Sequence, residues 1–424
     1  MPQAVSATPS RILSPDFARG LTLLGIAGAN LATAWAPVND APLASLMGGV
    51  VDGSVADKIA VMIGAMFLHV RGLPMFATLL GFGIGLISMS LYRRQYPLAA
   101  ARKLIAKRYG FLALFGLVHC IFMFYGDIMF GYGLIGMLLA LCIAVRDKPL
   151  LISAAVLMGL NLLLFLALGV AFLFFSDAMS GNALSAGGML GTGAFSEQLP
   201  WIDDSYWGQL FMGAILAVAT PFSLPQLIMM IGPLMLIGFV AARRGVLTDV
   251  ETYRRWLQIS AGVALGVMVC IGVPLGLAGI GVLPKEWELG LFMLNQGFGI
   301  FTGPGIVAMI ALAAEPLQRR LNEGGTLPAP LVAVQALGKR SMSGYVLQSL
   351  LCMIFVTNYS LGIGQGKGAA DTLAIAAVIW LVSVVLAYAL ELLGKKGPLE
   401  YLHRRLSYGH EGLPQVYQPV PAQR

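Results

Sequence analysis

The sequence predicts an all-α polytopic membrane bundle of about ten transmembrane helices, with both termini on the inner side. Composition is the first reason. Hydrophobic residues make up 58% of the 424 residues and charged residues only 11%, against about 25% charged in a soluble domain. That is too little charge to coat a water-facing surface, and the mean hydropathy is +0.81. A soluble enzyme, a nucleic-acid binder and a disordered chain are excluded on this ground. The second reason is a series of apolar runs near the roughly 20 residues a bilayer requires. The third is the placement of the basic residues between those runs.

The runs fall at about 20–36, 74–91, 110–125, 128–145, 150–175, 208–242, 257–281, 289–314, 341–357 and 372–393. The sixth is too long for a simple span and contains Pro221, Pro225 and Pro233. It is either one kinked helix or a half-helix followed by a full one. Residues 59–70 are also apolar but are stopped by His69 and Arg71, which suggests a re-entrant or interfacial segment. Gly81-Phe82-Gly83-Ile84-Gly85 lies inside a span with no strand before it. It reads as close helix packing rather than a nucleotide loop. Residues 11–409 form a single membrane domain on this reading, and the proline-rich tail 410–424 is expected to be disordered.

With the N-terminus inside, all 27 Lys and Arg except Lys58, Arg71, Lys285 and Lys367 fall on the inner side. This is the positive-inside pattern. It explains the net charge of +7 without a polyanionic partner, and it points to a plasma (inner) membrane protein. The densest inner loop carries Arg93, Arg94, Arg102, Lys103, Lys107 and Arg108 with no acid among them. A competing reading of the start, Arg11 and Arg19 before an apolar run and Ala32-Thr33-Ala34, is a signal peptide; Asn30 is foreign to such a core. The stretch 176–207 is acidic, with Asp177, Glu197, Asp203 and Asp204, and ends in Trp201, Tyr206 and Trp207. It reads as an outer loop closing on an aromatic belt, or as a lid over an outward pocket.

Cys120, Cys142, Cys270 and Cys352 all lie in apolar runs without a Cys-x-x-Cys pair, and so read as small buried hydrophobes. No HExxH motif and no group of metal ligands is present in the sequence, and no metal is expected. The informative residues are the polar ones at membrane depth, where an ionisable group costs several kcal/mol unless paired or wetted.

His119 is the sharpest of these. Ten residues beyond Tyr109 put it about 15 Å into the membrane, near the midplane. A neutral imidazole there can act as a general base, or it can be held by a neighbouring helix. Asp127, eight residues on, sits about 12 Å further along a straight helix and would not touch it. Asp127 is either the cap of the next helix or a group that orients His119 or binds an acceptor.

Arg19 and Asn30 bracket the first span on nearly one face. His69 and Arg71 face an outer vestibule or the headgroups. Tyr345 and Gln348 share a face of the ninth span, three residues apart. Glu391 is expected to pair with Lys395 at i+4. Asn295 and Gln296 open the glycine-rich eighth span.

The stretches Arg19-Gly20 with Asn30, Phe82-Gly83, FGLVHCIFMFYGDIMFGYGLIG (115–136), LGKRSMSGYVLQSLLCMIF (337–355) and GPLEYLHRRLSYG (397–409) resemble the YeiB-like family, which carries domain of unknown function 418. That family is similar to integral-membrane acyltransferases such as the heparan glucosaminide acetyltransferases. The resemblance implies transfer of an acyl group from cytoplasmic acyl-CoA to an envelope glycan or lipid. Arg19, Gly20 and Asn30 match the start of their first helix. The histidine of their next outer loop has no counterpart between Pro37 and Lys58, so His69 or His119 must replace it or the chemistry is absent.

On this reading His119, Asn30 and Asp127 are the candidate catalytic residues. Arg19, His69, Arg71, Tyr345 and Gln348 are candidates for binding substrate. The basic loop is the candidate phosphate site for acyl-CoA, a passing donor rather than a resident cofactor. The bilayer is the expected partner, with no nucleic acid. The alternative is a transporter or lipid flippase without acyl chemistry. Neither an oligomeric state nor an acceptor is readable from the residues.

Overall fold

The computed structural model describes residues 12–37, 43, 45–179 and 205–417. Sixteen α-helices and no named strand occur among them. In chain order they begin with α1 (Leu13–Asn30), extended by a π turn over Leu31–Trp35. α2 (Val55–Ile63) starts where the Ser54 hydroxyl accepts the Asp57 amide, a standard N-cap. It runs into a second π turn, breaks at His69–Arg71 and resumes as α3 (Gly72–Arg93). Then come α4 (Leu98–Phe122), α5 (Met129–Leu139) and α6 (Asp147–Met179).

The second half holds α7 (Tyr206–Phe222), α8 (Leu224–Arg244), α9 (Val250–Cys270), α10 (Gly272–Gly279), α11 (Trp287–Gly299) and α12 (Thr302–Asn322). It closes with α13 (Ala329–Lys339), α14 (Ser341–Phe355), α15 (Ala369–Leu392) and α16 (Pro398–Tyr408).

Among the described residues six helical stretches are long and apolar enough to cross a membrane, and a seventh if α11 and α12, bent by 59°, count as one span. The chain is therefore a multi-pass membrane protein. The apolar helices at Met129–Cys142, Tyr206–Phe222 and Ser341–Phe355 are shorter. The 208–242 run is two helices that meet at Ser223. Pro225 lacks the amide that would continue the ladder from α7, and it suits the first turn of α8. The 289–314 run breaks at Ile300–Phe301, just past Gly297 and Gly299. Residues 59–70 do not stand apart; they continue into α3 across the break at His69–Arg71.

Two close helix crossings set the frame. α3 lies directly on α8: a Cβ at Gly81 would strike the Met235 carbonyl, and one at Gly238 the Thr78 carbonyl. The Gly81–Gly85 stretch is thus a packing surface, as the sequence predicts. α1 crosses α13 in the same way, with Gly338 against the Asp16 carbonyl and Gly20 against that of Val334. The Trp380 indole of α15 donates to the Gly20 carbonyl at 2.9 Å. The main core, with Leu23, Ile84, Ile105, Tyr132, Leu234 and Phe239 essentially sealed from solvent, lies between these crossings.

Cys120 and Cys352 are buried, Cys142 is half-buried and Cys270 is exposed on α9; all four are unpaired. Cys270 thus departs from the expected burial, because it faces outward from its helix. Residues 410–417 are irregular but not free. Arg94 donates to the carbonyls of Leu413 and Pro414 at 3.0 and 2.8 Å, and the Tyr96 and Tyr417 rings meet edge-on at 4.9 Å. Residues 418–424 of the tail expected to be disordered lie outside the described residues. The acidic stretch 180–204 lies outside them too. Tyr206 begins α7, its hydroxyl donating to the Phe122 carbonyl at 3.3 Å, and Trp207 is exposed beside it.

Candidate functional site

His119 sits in the last turn of α4, which stops at Phe122. Its carbonyl accepts both the Met123 and the Phe124 amides, so the helix unwinds and the chain reverses through Gly126. A Cβ at Gly126 would press on the Phe124 ring at 2.7 Å, which explains the glycine. The reversal returns Asp127 to the imidazole: Nδ1 of His119 is 2.7 Å from Oδ2 of Asp127. The other carboxylate oxygen accepts the Phe130 amide at 2.6 Å and caps α5. The two readings of Asp127, cap and partner of His119, are both realised by one carboxylate. The expectation that the two residues do not touch fails because the helix is not continuous between them.

Both groups are sealed, at 2% and 0% side-chain exposure. In the tautomer that carries its proton on Nδ1, the ring donates to Asp127 and Nε2 presents a lone pair. Nε2 is buried and has no hydrogen-bond partner among the described residues. The ring lies against Tyr345, with centroids 4.9 Å apart, and against Phe124 at 6.3 Å. Phe124 in turn stacks on Trp35 at 4.8 Å, joining the end of α1 to this cluster. The buried Tyr345 hydroxyl has no hydrogen-bond partner among the described residues. Gln348, one turn on, is buried with neither amide atom partnered. A buried polar atom without a partner costs about 1–3 kcal/mol.

A cavity of about 700 Å3 approaches this cluster from one end of the bundle. Its deep part is walled by Leu23, Phe76, Leu112, Ile128, Tyr132 and Tyr345. Its rim is basic: Arg19, Arg108, Lys339, Arg340, Lys395, Lys396 and Arg404, against the carboxylates Glu391 and Glu400. His119 and Asp127 do not themselves line it. Tyr345 touches both the cavity and the imidazole.

The rim's acids are committed. Glu391 accepts Lys339 at 2.7 Å and Arg340 at 2.6 Å, so the expected Glu391–Lys395 pair is not formed. Instead the Lys395 carbonyl accepts a guanidinium N–H of Arg340. Glu400 accepts the amides of Met342 and Ser343 at the start of α14. Arg108 lies over the Tyr408 ring at 5.2 Å, and its carbonyl is 2.8 Å from Nε2 of His403. Lys395, Lys396 and Arg404 make no ion pair among the described residues and are exposed. An unneutralised basic rim over an apolar interior fits an amphiphile with an anionic head.

The remaining candidates scatter. Of the six basic loop residues only Arg108 reaches the cavity. Arg93, Lys103 and Lys107 are exposed, Arg102 donates to the Leu141 carbonyl, and Arg94 holds residues 413–414. On a helix, successive residues turn by about 100°, so the cluster fans out instead of forming one site. Arg19 lines the rim and donates to the Leu79 carbonyl at 3.1 Å. Asn30 ends α1, half-buried and off the cavity wall.

His69 and Arg71 form a separate buried knot. The Arg71 guanidinium donates to the Asn295 side chain at 2.8 Å, and Asn295 returns a bond to the His69 carbonyl. Sequence reasoning missed Lys339, Arg340, Lys395, Lys396, Glu400, His403 and Arg404 as site residues. They lie in the 337–355 and 397–409 stretches or just before the latter, and only their density of charge beside spans hinted at a shared rim.

Residues 241–410 match the family model described as "Protein of unknown function (DUF418)". The chain is 24% identical over 422 residues to the uncharacterized protein YeiB of Escherichia coli (strain K12), covering 94% of this chain and 96% of that one. It is also 24% identical over 426 residues to the uncharacterized protein YxaH of Bacillus subtilis (strain 168), covering 95% of each.

Proposed function

Because the chain belongs to the YeiB-like family and its DUF418 region supplies most of the basic rim, we propose that it is an integral-membrane acyltransferase. It takes an acyl group from acyl-CoA at the rim and delivers it to a hydroxyl or amine of an envelope acceptor. On this reading the basic end of the bundle faces the cytoplasm, both termini lie there, and the membrane is the inner one. The observation that carries the reading is the His119–Asp127 pair, with a partnerless Nε2, set against the Tyr345 wall of a cavity whose mouth is cationic.

The phosphates of the donor rest on Arg108, Lys395, Lys396 and Arg404, and its thioester enters toward Tyr345. Nε2 of His119 takes the acceptor's proton as its oxygen or nitrogen bonds to the acyl carbon. The carbon–sulfur bond breaks, and the proton passes to the departing thiolate. Asp127 stabilises the imidazolium formed between the two transfers. Asn30 and the Tyr345 hydroxyl are the candidates for contact with the developing oxyanion, and Tyr345 must turn to admit the acyl carbon. Purified protein supplied with radiolabelled acyl-CoA and an envelope extract tests this. Wild type labels the extract and His119→Ala does not; equal labelling by both overturns the role.

The 59° break between α11 and α12 favours a second reading, since broken helices build the midplane sites of many carriers. Solute uptake into proteoliposomes without any CoA present supports that carrier and contradicts the enzyme.

A further inference from the structure

A second hollow lies away from the dyad. It is a groove of about 400 Å3 between α3, α8, α9 and α12, walled by Leu79, Phe82, Ile237, Leu257 and Val307. Its lining is almost wholly apolar, and the cationic exception at its edge is Arg244, beside Tyr253 and Trp256. Trp256 is 69% exposed. An indole and a phenol bordering an apolar groove on a membrane-spanning protein mark the depth of the headgroup boundary.

The charge at this rim is unbalanced. Arg243 and Arg244 both reach the single carboxylate of Asp147, at 3.4 and 3.0 Å. Arg244 does so through Nε alone, and its terminal nitrogens make no hydrogen bond among the described residues. Nearby, Arg254 and Arg319 are matched by Glu251 and Glu315, so that network does not supply the missing negative charge.

We propose that this groove holds one acyl chain of an anionic phospholipid, with the phosphate on the free face of the Arg244 guanidinium. The chain fills the slot between Leu79, Phe82 and Val307. The phosphate completes the charge that Asp147 half-satisfies, and the Tyr253 and Trp256 rings flank the glycerol region. The site is independent of the acyl-transfer reading.

Native mass spectrometry of the full chain in detergent, with phosphatidylglycerol and phosphatidylcholine offered in equal amounts, tests it. Wild type is expected to retain one phosphatidylglycerol about tenfold over phosphatidylcholine. Arg244→Gln should keep a lipid but lose that preference, and Ala241→Phe, which fills the groove, should lose both. Equal retention of the two lipids by wild type, or an unchanged lipid pattern in Ala241→Phe, overturns the proposal.

Should Ala241→Phe fail to fold, phosphatidylglycerol brominated on its chain decides. It should quench wild-type tryptophan emission more than that of Trp256→Phe, and equal fractional quenching of both counts against the site.

Discussion

Nδ1 of His119 and Oδ2 of Asp127 are 2.7 Å apart, although a continuous helix would separate them by about 12 Å. The chain achieves this by ending α4 at Phe122 and reversing through Gly126. The same carboxylate caps α5 through the Phe130 amide, so one residue starts a helix and orients an imidazole.

That dual duty separates two variants. Asp127→Asn keeps an acceptor for the Phe130 amide but offers the His119 ring an N–H where a carboxylate stood, which moves the ring proton to Nε2. The protein should fold near normally while transfer falls by roughly 10^2–10^4-fold. Asp127→Ala should lose both the cap and the activity, with an additional loss of stability of about 1 kcal/mol or more. Thermal melting beside labelled transfer distinguishes them.

Tyr345 touches both the imidazole and the cavity. Its truncation to alanine should cost about 3–5 kcal/mol through the cavity it leaves, and should expose Nε2 of His119 to the 700 Å3 hollow. Diethyl pyrocarbonate should then modify His119 quickly, where the wild-type ring, at 2% exposure, reacts slowly. Peptide mapping of the modified histidine reads this directly.

The rim cations Lys395, Lys396 and Arg404 are exposed, so each contributes modestly and through screened interactions. Alanine at any one should weaken acyl-CoA binding a few-fold, and the triple variant about tenfold or more. Raising salt should shrink the difference between wild type and triple variant. Arg93→Ala and Lys103→Ala, which lie off the cavity, should change nothing; microscale thermophoresis with a fluorescent acyl-CoA measures all of these.

His403 gives the wild type an acid-sensitive packing contact at the rim. Burial first, and the Arg108 charge second, lower its pKa from 6.5 to about 4. Between those values the unfolded chain binds a proton that the folded chain refuses. Stability is therefore full above pH 6.5 and falls as pH drops toward 4. His403→Gln should remove this component and flatten the decline in melting temperature by a few degrees.

The bundle itself was legible because composition and the distribution of Lys and Arg are properties of the whole chain. His119 and Asp127 were legible one by one, since each is a polar residue in or beside an apolar run. Their contact was not, because spacing arguments assume a straight helix and the turn at 123–128 depends on tertiary packing of Phe124 against Trp35. The convergence of basic residues on the cavity was not legible for a related reason. A dense run such as 102–108 points around a helix, while residues as distant as Arg19, Arg108, Lys339 and Lys396 converge only through the crossing of α1 with α13 and the docking of α16 on α4. Breaks at Ser223 and Ile300 were half-visible as proline and glycine, but whether they bend or split a helix is decided by neighbours.

In the proposed reaction the imidazole of His119 moves the proton during acyl transfer. Release of free CoA thiol from acyl-CoA by purified wild type and His119→Gln, each first shown to melt normally and to bind the fluorescent acyl-CoA, measures this most directly in the presence of envelope extract. The account predicts steady thiol release by wild type and a fall of at least a hundredfold in the variant, with donor binding unchanged. Equal release by the two proteins, or none from wild type while donor binds and extract is present, contradicts it.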